Sequence, residues 1–137
     1  GDGPERESLE ALVAARGLAE NVFLIGHKDS ALDYIGAADL VVIPSRNEGF
    51  SYVFAEALLE KTPVISTDVP IPNEVLPKQY ICAIENVEAI HLLLTTALSN
   101  VNRLEQSFAP LFDYAEKNLT LARSRDQTLA AYEALIE

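Results

Sequence analysis

The chain has 137 residues, 49% of them apolar, and its 10 basic and 21 acidic side chains give a formal net charge of −11. That length holds one packed domain and falls short of two of ordinary size, and the acidity argues against nucleic acid or an anionic membrane as partner. The single cysteine, Cys82, excludes an internal disulfide and any multi-cysteine metal site; it fits a reducing compartment and, in its apolar run, reads as core packing.

No apolar run approaches the ~18 residues of a membrane span, and the start, Gly-Asp-Gly-Pro-Glu-Arg-Glu, lacks the basic and apolar regions of a signal peptide. A cytoplasmic location is therefore expected. Helix and strand signals alternate along most of the chain, the pattern of an α/β fold with a parallel sheet covered on both faces. Pro4 suits a first helical turn, with Leu9, Leu12, Val13 and Arg16 at helical spacing until Gly17 supplies a stop. Residues 21–25 read as a short strand. Ser30 can cap the next helix, with Leu32, Ile35 and Ala38 inward, and residues 40–43 form the unbroken apolar run of a central strand.

A helix is predicted over residues 50–60, its buried stripe formed by Val53, Phe54, Ala57 and Leu58. Residues 63–66 read as the next strand and 67–73 as a rigid, proline-marked loop. Residues 79–84 read as a further strand and 87–98 as a helix. Beyond Asn100 the pattern is helical, with a short segment near 101–108, a break at Pro110 and a long final helix over about 119–136. His91 reads as structural or surface, and the five tyrosines are scattered without forming a stacking platform.

The candidate site lies in Asn47-Glu48-Gly49-Phe50-Ser51-Tyr52-Val53-Phe54-Ala55-Glu56. If the helix begins near Gly49, the seven residues to Glu56 turn through roughly 700° and climb about 10 Å, so one ligand could touch both ends. Glu48 would then stand at the helix entrance beside free amides, where unpaired N–H groups and the positive end of the dipole favour a diphosphate. The loops after the strands ending at Ile25, Ile43 and Ser66 should share one rim, as ligand-binding loops of open parallel sheets do.

These motifs carry a resemblance to a known family. Gly1-Asp2-Gly3-Pro4, Asn21-Val22-Phe23-Leu24-Ile25-Gly26, Ala37-Ala38-Asp39-Leu40-Val41-Val42-Ile43-Pro44-Ser45, the glutamate pair and Thr62-Pro63-Val64-Ile65-Ser66-Thr67-Asp68 follow in an order that resembles the nucleotide-binding half of retaining glycosyltransferases with the GT-B fold, of the group 1 type. The resemblance implies a Rossmann-like parallel sheet flanked by helices, the C-terminal lobe of that fold truncated at its N-terminus, as one donor-binding domain over 1–137 with a helical extension from about 100 to 137. It implies binding of a UDP- or GDP-sugar and retaining transfer to a glycan or lipid acceptor held by a second lobe. No metal or other cofactor is expected, and the chain alone is expected not to turn over. The full-length enzyme would work in the cytoplasm or at the inner face of the membrane, in bacterial polysaccharide or glycolipid synthesis.

Residue by residue, Glu48 resembles the catalytic-site glutamate that holds the transferred sugar, helped by the amides of Gly49 and Phe50. Ser51, Tyr52 and Val53 align with the amides that meet the diphosphate. Glu56 resembles the carboxylate that accepts from both ribose hydroxyls, and Gly26, His27 and Lys28 match the loop beside the nucleobase. Plainer readings stand beside these: Glu56 as a solvated helix residue near Lys61, Glu48 as a favourable charge at a helix start, His27 and Lys28 as exposed loop residues.

Three departures from the family pattern are evident. Lys61 stands where a glycine usually caps the helix, at a cost of about 1 kcal/mol if the backbone is left-handed there. Pro70, Ile71 and Pro72 replace a glycine pair whose amides approach the ligand, leaving Asn73 and Glu74 to supply polarity, and the Arg and Lys that neutralise the diphosphate precede the matched segment. A degenerate scaffold that binds partners and a sugar-nucleotide epimerase are the alternatives. The apolar face of residues 108–137 resembles the segment that packs on the other lobe, which leaves self-association through that patch open.

Overall fold

Val41–Ile43 (β1), Val64–Thr67 (β2) and Ile81–Cys82 (β3) pair in parallel in the order β1-β2-β3, in a computed structural model that describes residues 2–135. Val41 to Ile43 pair with Val64 to Ser66, and on the other side Ser66 and Thr67 pair with Ile81 and Cys82. All four residues of β2 are buried, as expected of a central strand covered on both faces. The helices are α1 (Arg6–Ala15), α2 (Ala31–Gly36), α3 (Tyr52–Leu59), α4 (Pro70–Val75), α5 (Val87–Leu98), α6 (Val101–Asn118) and α7 (Leu121–Glu133). They divide into two compact units, one ending at Ala31 and the other beginning at Leu32. The α/β, Rossmann-like architecture expected from the sequence is the one observed.

The second unit holds the sheet and the core. Helix α3 packs on β1, β2 and α6, so it is covered on two sides. Phe54, Ala55, Ala57 and Leu58 are buried, whereas Val53, expected inside, is 46% exposed. Helix α6 contributes Leu104, Phe108, Phe112 and Ala115, with Phe108 stacked between Tyr80 at 4.6 Å and Phe112 at 5.9 Å between ring centroids. Cys82 is buried and free, and burial pushes its thiol pKa up; the core-packing reading holds.

Several expected elements differ. Pro110 does not break α6 but lies inside it, on the exposed side. An interior proline costs about 3 kcal/mol, and burying Phe108 and Phe112 at about 1.5–3 kcal/mol each offsets that. The proline-marked loop after β2 contains α4, because Pro70 and Pro72 fall in its first turn, where no N–H donor is needed. The strand expected over 79–84 shrinks to Ile81–Cys82 after a 3-10 turn at Lys78–Tyr80, since β2 offers only Ser66 and Thr67 for pairing there.

Helix α5 spans the expected residues, its N-terminus capped by Asn86, whose Oδ1 accepts from the Ala89 N–H at 2.8 Å. His91 lies on the surface. Helix α7 begins at Leu121, with Leu119 at the end of α6; Ile136, expected in the final helix, lies outside the described residues. Helix α7 buries none of its residues, and Leu121 is 92% exposed.

Lys61 does adopt a left-handed backbone, with φ 61°. Its N–H donates to the Leu58 carbonyl at 3.2 Å and that of Thr62 to the Ala57 carbonyl at 2.8 Å, the two bonds of a Schellman cap. Lys61→Gly should therefore stabilise the protein by up to about 1 kcal/mol, read from the unfolding midpoint in urea. Its ion pair with Glu116, at 3.4 Å with both side chains more than half exposed, offsets little.

In the first unit, α1 runs to the stop at Gly17, whose φ is +66°. Leu9 and Leu12 are exposed and α1 buries no residue, contrary to the expected stripe. Residues 21–25 do not form a strand. A strand exists only where a neighbouring backbone pairs with it, and in this unit the Leu24 carbonyl instead accepts from Arg6 Nη2 at 2.7 Å. Among the described residues no helix is long and apolar enough to cross a membrane.

Candidate functional site

The carboxyl ends of β1 and β2 open onto one rim of the second unit. After Ile43 the chain leaves β1 through Pro44 and Ser45 and reaches Glu48. There the Ser45 hydroxyl donates to Glu48 Oε1 at 2.7 Å. The last residue of β2, Thr67, donates its hydroxyl to the Ser45 carbonyl at 2.5 Å. The loops expected to meet after β1 and β2 thus do meet. Arg46, one residue on from Ser45, pairs with Glu85 in the loop after β3 at 3.0 Å, and Glu85 holds a left-handed φ of 57°.

Helix α3 begins at Tyr52, three residues later than a start at Gly49 would require. Gly49 and Phe50 form a bend. Glu56 is therefore about one turn and about 6 Å into the helix, and helical side chains lean toward the N-terminus, which directs this carboxylate toward the helix start. Glu56 is half-buried and among the described residues has no side-chain partner. Lys61, the partner that would make it an ordinary surface glutamate, is engaged with Glu116.

Ser51 is the N-cap of α3, in extended conformation, yet its side chain makes no capping bond. The residue is 2% exposed and its hydroxyl has no hydrogen-bond partner among the described residues. Leaving a buried hydroxyl unpaired costs about 1–3 kcal/mol, and the first-turn amides beside it have no intrahelical acceptor. A hydroxyl and free amides together at the positive end of an eight-residue helix suit an anionic ligand. Next to them Phe50 and Tyr52 form an edge-on ring pair at 5.2 Å; a paired aromatic was not foreseen from the scattered tyrosines. A Cβ added at Gly49 would meet nothing within 4 Å. Val53 is also on this exposed first turn. Asn73, considered as a source of polarity after β2, accepts from Lys78 Nζ, and Glu74 is exposed.

Gly26, His27 and Lys28 belong to the first unit. Gly26 has φ +71°, and an added Cβ would lie 3.0 Å from Asp2 Oδ1, so both backbone and space demand glycine. The His27 N–H donates to Asp2 Oδ2 at 2.9 Å, and Arg6 Nη1 donates to Asp2 Oδ1 at 3.0 Å. The side chains of His27 and Lys28 are exposed, with His27 3.6 Å from Asp29. The His27 N–H, more than Arg6, holds the Asp2 carboxyl below its ordinary value of 3.8. A depressed carboxylate supports the folded loop above that ordinary value and loses its effect as pH falls through the lowered one. The His27 amide resonance should accordingly titrate with a midpoint below 3.8.

The sequence profile of the glycosyl transferases group 1 family matches residues 1–109. The chain belongs to that family. It is 33% identical over 113 residues to the O-antigen biosynthesis glycosyltransferase WclY of Escherichia coli, covering 82% of this chain and 32% of that protein. It is 36% identical over 78 residues to the alpha-D-kanosaminyltransferase of Streptomyces kanamyceticus, covering 56% of this chain and 20% of that one. Among solved structures, sucrose-phosphate synthase from Thermosynechococcus elongatus superposes with a TM-score of 0.85 at 25% identity, over 99% of this chain and 35% of that one. The chain thus spans about a third of the length of the O-antigen glycosyltransferase and of sucrose-phosphate synthase, and a fifth of the kanosaminyltransferase.

Within this chain the structure adds contacts that the sequence did not single out. The Ser45 hydroxyl holds Glu48 and the Thr67 hydroxyl holds the Ser45 carbonyl, and Asp2 and Arg6 fix the loop bearing Gly26. The signals were faint: a serine three residues before Glu48, and a Gly-Asp-Gly-Pro segment that served only as a family marker. Its Gly1 lies outside the described residues.

Proposed function

We propose that the rim of the second unit binds a nucleoside-diphosphate sugar and contributes to retaining transfer of that sugar to a glycan or lipid acceptor, in polysaccharide synthesis of the kind the O-antigen relative is named for. The observation that carries this reading is the buried, unpartnered Ser51 hydroxyl at the start of α3, between one glutamate already oriented and another without a partner. In this reading the amides of Ser51, Tyr52 and Val53 receive the diphosphate, Glu48 with the Gly49 and Phe50 amides holds the sugar, and Glu56 accepts from the ribose hydroxyls. The nucleobase role of Gly26, His27 and Lys28 stands on the family resemblance.

In the retaining step the bond from the anomeric carbon to the phosphate oxygen breaks. The acceptor oxygen bonds to that carbon on the same face, and its proton passes to the departing phosphate. The protein's contribution is position and electrostatics, amides meeting the charge that grows on the leaving group.

The test is calorimetric titration with UDP-, GDP- and ADP-sugars, beside Gly49→Ala. Because among the described residues nothing occupies the space of that added methyl, the variant should unfold at the same midpoint while binding the sugar-nucleotide more weakly. Binding of one donor, weakened in the variant, is the expected result. No binding to any of the three favours a scaffold that keeps the fold without the donor.

A further inference from the structure

We propose that Thr67 is a positioning residue for Glu48, acting through Ser45. The inference rests on the reading of this rim as a sugar-nucleotide site and names what orients its sugar-holding carboxylate. Thr67 is 4% exposed at the end of the central strand, its backbone paired with Cys82 of β3. Its hydroxyl has one proton and two carbonyls in reach, Ser45 at 2.5 Å and Ile43 at 3.3 Å; the shorter contact takes it. Ser45 in turn has one hydroxyl proton, given to Glu48 Oε1 at 2.7 Å, a charge-assisted bond when the carboxylate is ionised.

Two hydrogen bonds therefore connect a buried strand to a carboxylate on an irregular loop. The neighbouring hydroxyl does not do this: Ser66 donates to the Thr67 carbonyl at 2.9 Å and reaches Ile43 only at 3.4 Å. The Arg46–Glu85 pair is 81% and 64% exposed, and exposed pairs of that kind hold a loop weakly. Ser45 takes one lone pair of Oε1 and leaves both of Oε2, so the relay fixes the plane of the carboxylate and with it the lone pairs that face the sugar hydroxyls. A freely rotating carboxylate would have to be ordered on binding, at the expense of affinity for the sugar and not for the nucleotide.

The experiment uses the whole chain with Thr67→Val, Thr67→Ser and Ser45→Ala, and has a ligand-free arm and a ligand arm. In the first, the side-chain carboxyl carbon resonance of Glu48 is followed by NMR. It should move in Thr67→Val, although among the described residues Thr67 has no hydrogen bond to Glu48, as it does in Ser45→Ala, and return in Thr67→Ser. In the second, UDP and UDP-glucose, or GDP and GDP-mannose, are titrated. Thr67→Val and Ser45→Ala should lower affinity for the sugar-nucleotide about tenfold, leave the nucleoside diphosphate unchanged, and Thr67→Ser should restore the preference. An unmoved Glu48 resonance in Thr67→Val, or equal loss for both probes, overturns the proposal. A resonance that moves as expected in a chain that binds neither probe upholds the relay and overturns the donor-site reading.

Discussion

Replacing Phe108 by alanine should destabilise the protein by about 3–5 kcal/mol, among the largest stability effects of a single truncation in the second unit. The side chain is fully buried and is the ring through which α6 meets Tyr80, with Phe112 of the same helix against its other side. Such a loss approaches the whole stability of an ordinary domain, about 5–15 kcal/mol, so urea unfolding should start at much lower denaturant. A change below about 1 kcal/mol would mean that α6 is not anchored in the core as described. The same experiment on Pro110→Ala should go the other way, since the exposed proline opposes a helix that packing holds together.

Replacing Glu56 by glutamine should leave folding nearly unchanged and cost sugar-nucleotide affinity about 10- to 100-fold, the value of one to two kcal/mol-scale bonds to an ionised acceptor. The substitution keeps shape and removes charge at a half-buried residue with no side-chain partner among the described residues, so the protein has no ion pair there to lose. Unfolding midpoint and titration together check it. An unchanged affinity would return Glu56 to the role of an ordinary helix residue. The result bears on the donor's ribose and not on its base or sugar, which makes it the same for UDP- and GDP-linked donors.

How much of this was readable beforehand depended on the range of the interaction. Helix α5 was bounded correctly because its cap, Asn86, and its apolar spacing are local. Glu48 and Glu56 stand out as candidates because their separation along the chain is itself the signal. The errors came where packing overrode local preference: Pro110 carried inside α6 by its buried phenylalanines, Pro70 and Pro72 starting α4 instead of a loop, and residues 21–25 lacking a paired neighbour. The start of α3 at Tyr52 puts Ser51 at the cap and not in the helix body, and that shift singles out its hydroxyl, without a partner among the described residues, as a feature of the candidate site. The Thr67–Ser45 contact joins residues 22 positions apart, and its existence depends on the β1–β2 register, which no local pattern states.

The most direct measurement is a backbone amide NMR titration of the chain with UDP, GDP and ADP. One of them should shift the amides of Gly49, Phe50, Ser51, Tyr52 and Val53 first and most, with Glu56→Gln weakening the same response. Shifts confined to other surfaces, or none at any of the three up to millimolar concentration, would contradict a nucleotide-sugar site at the start of α3.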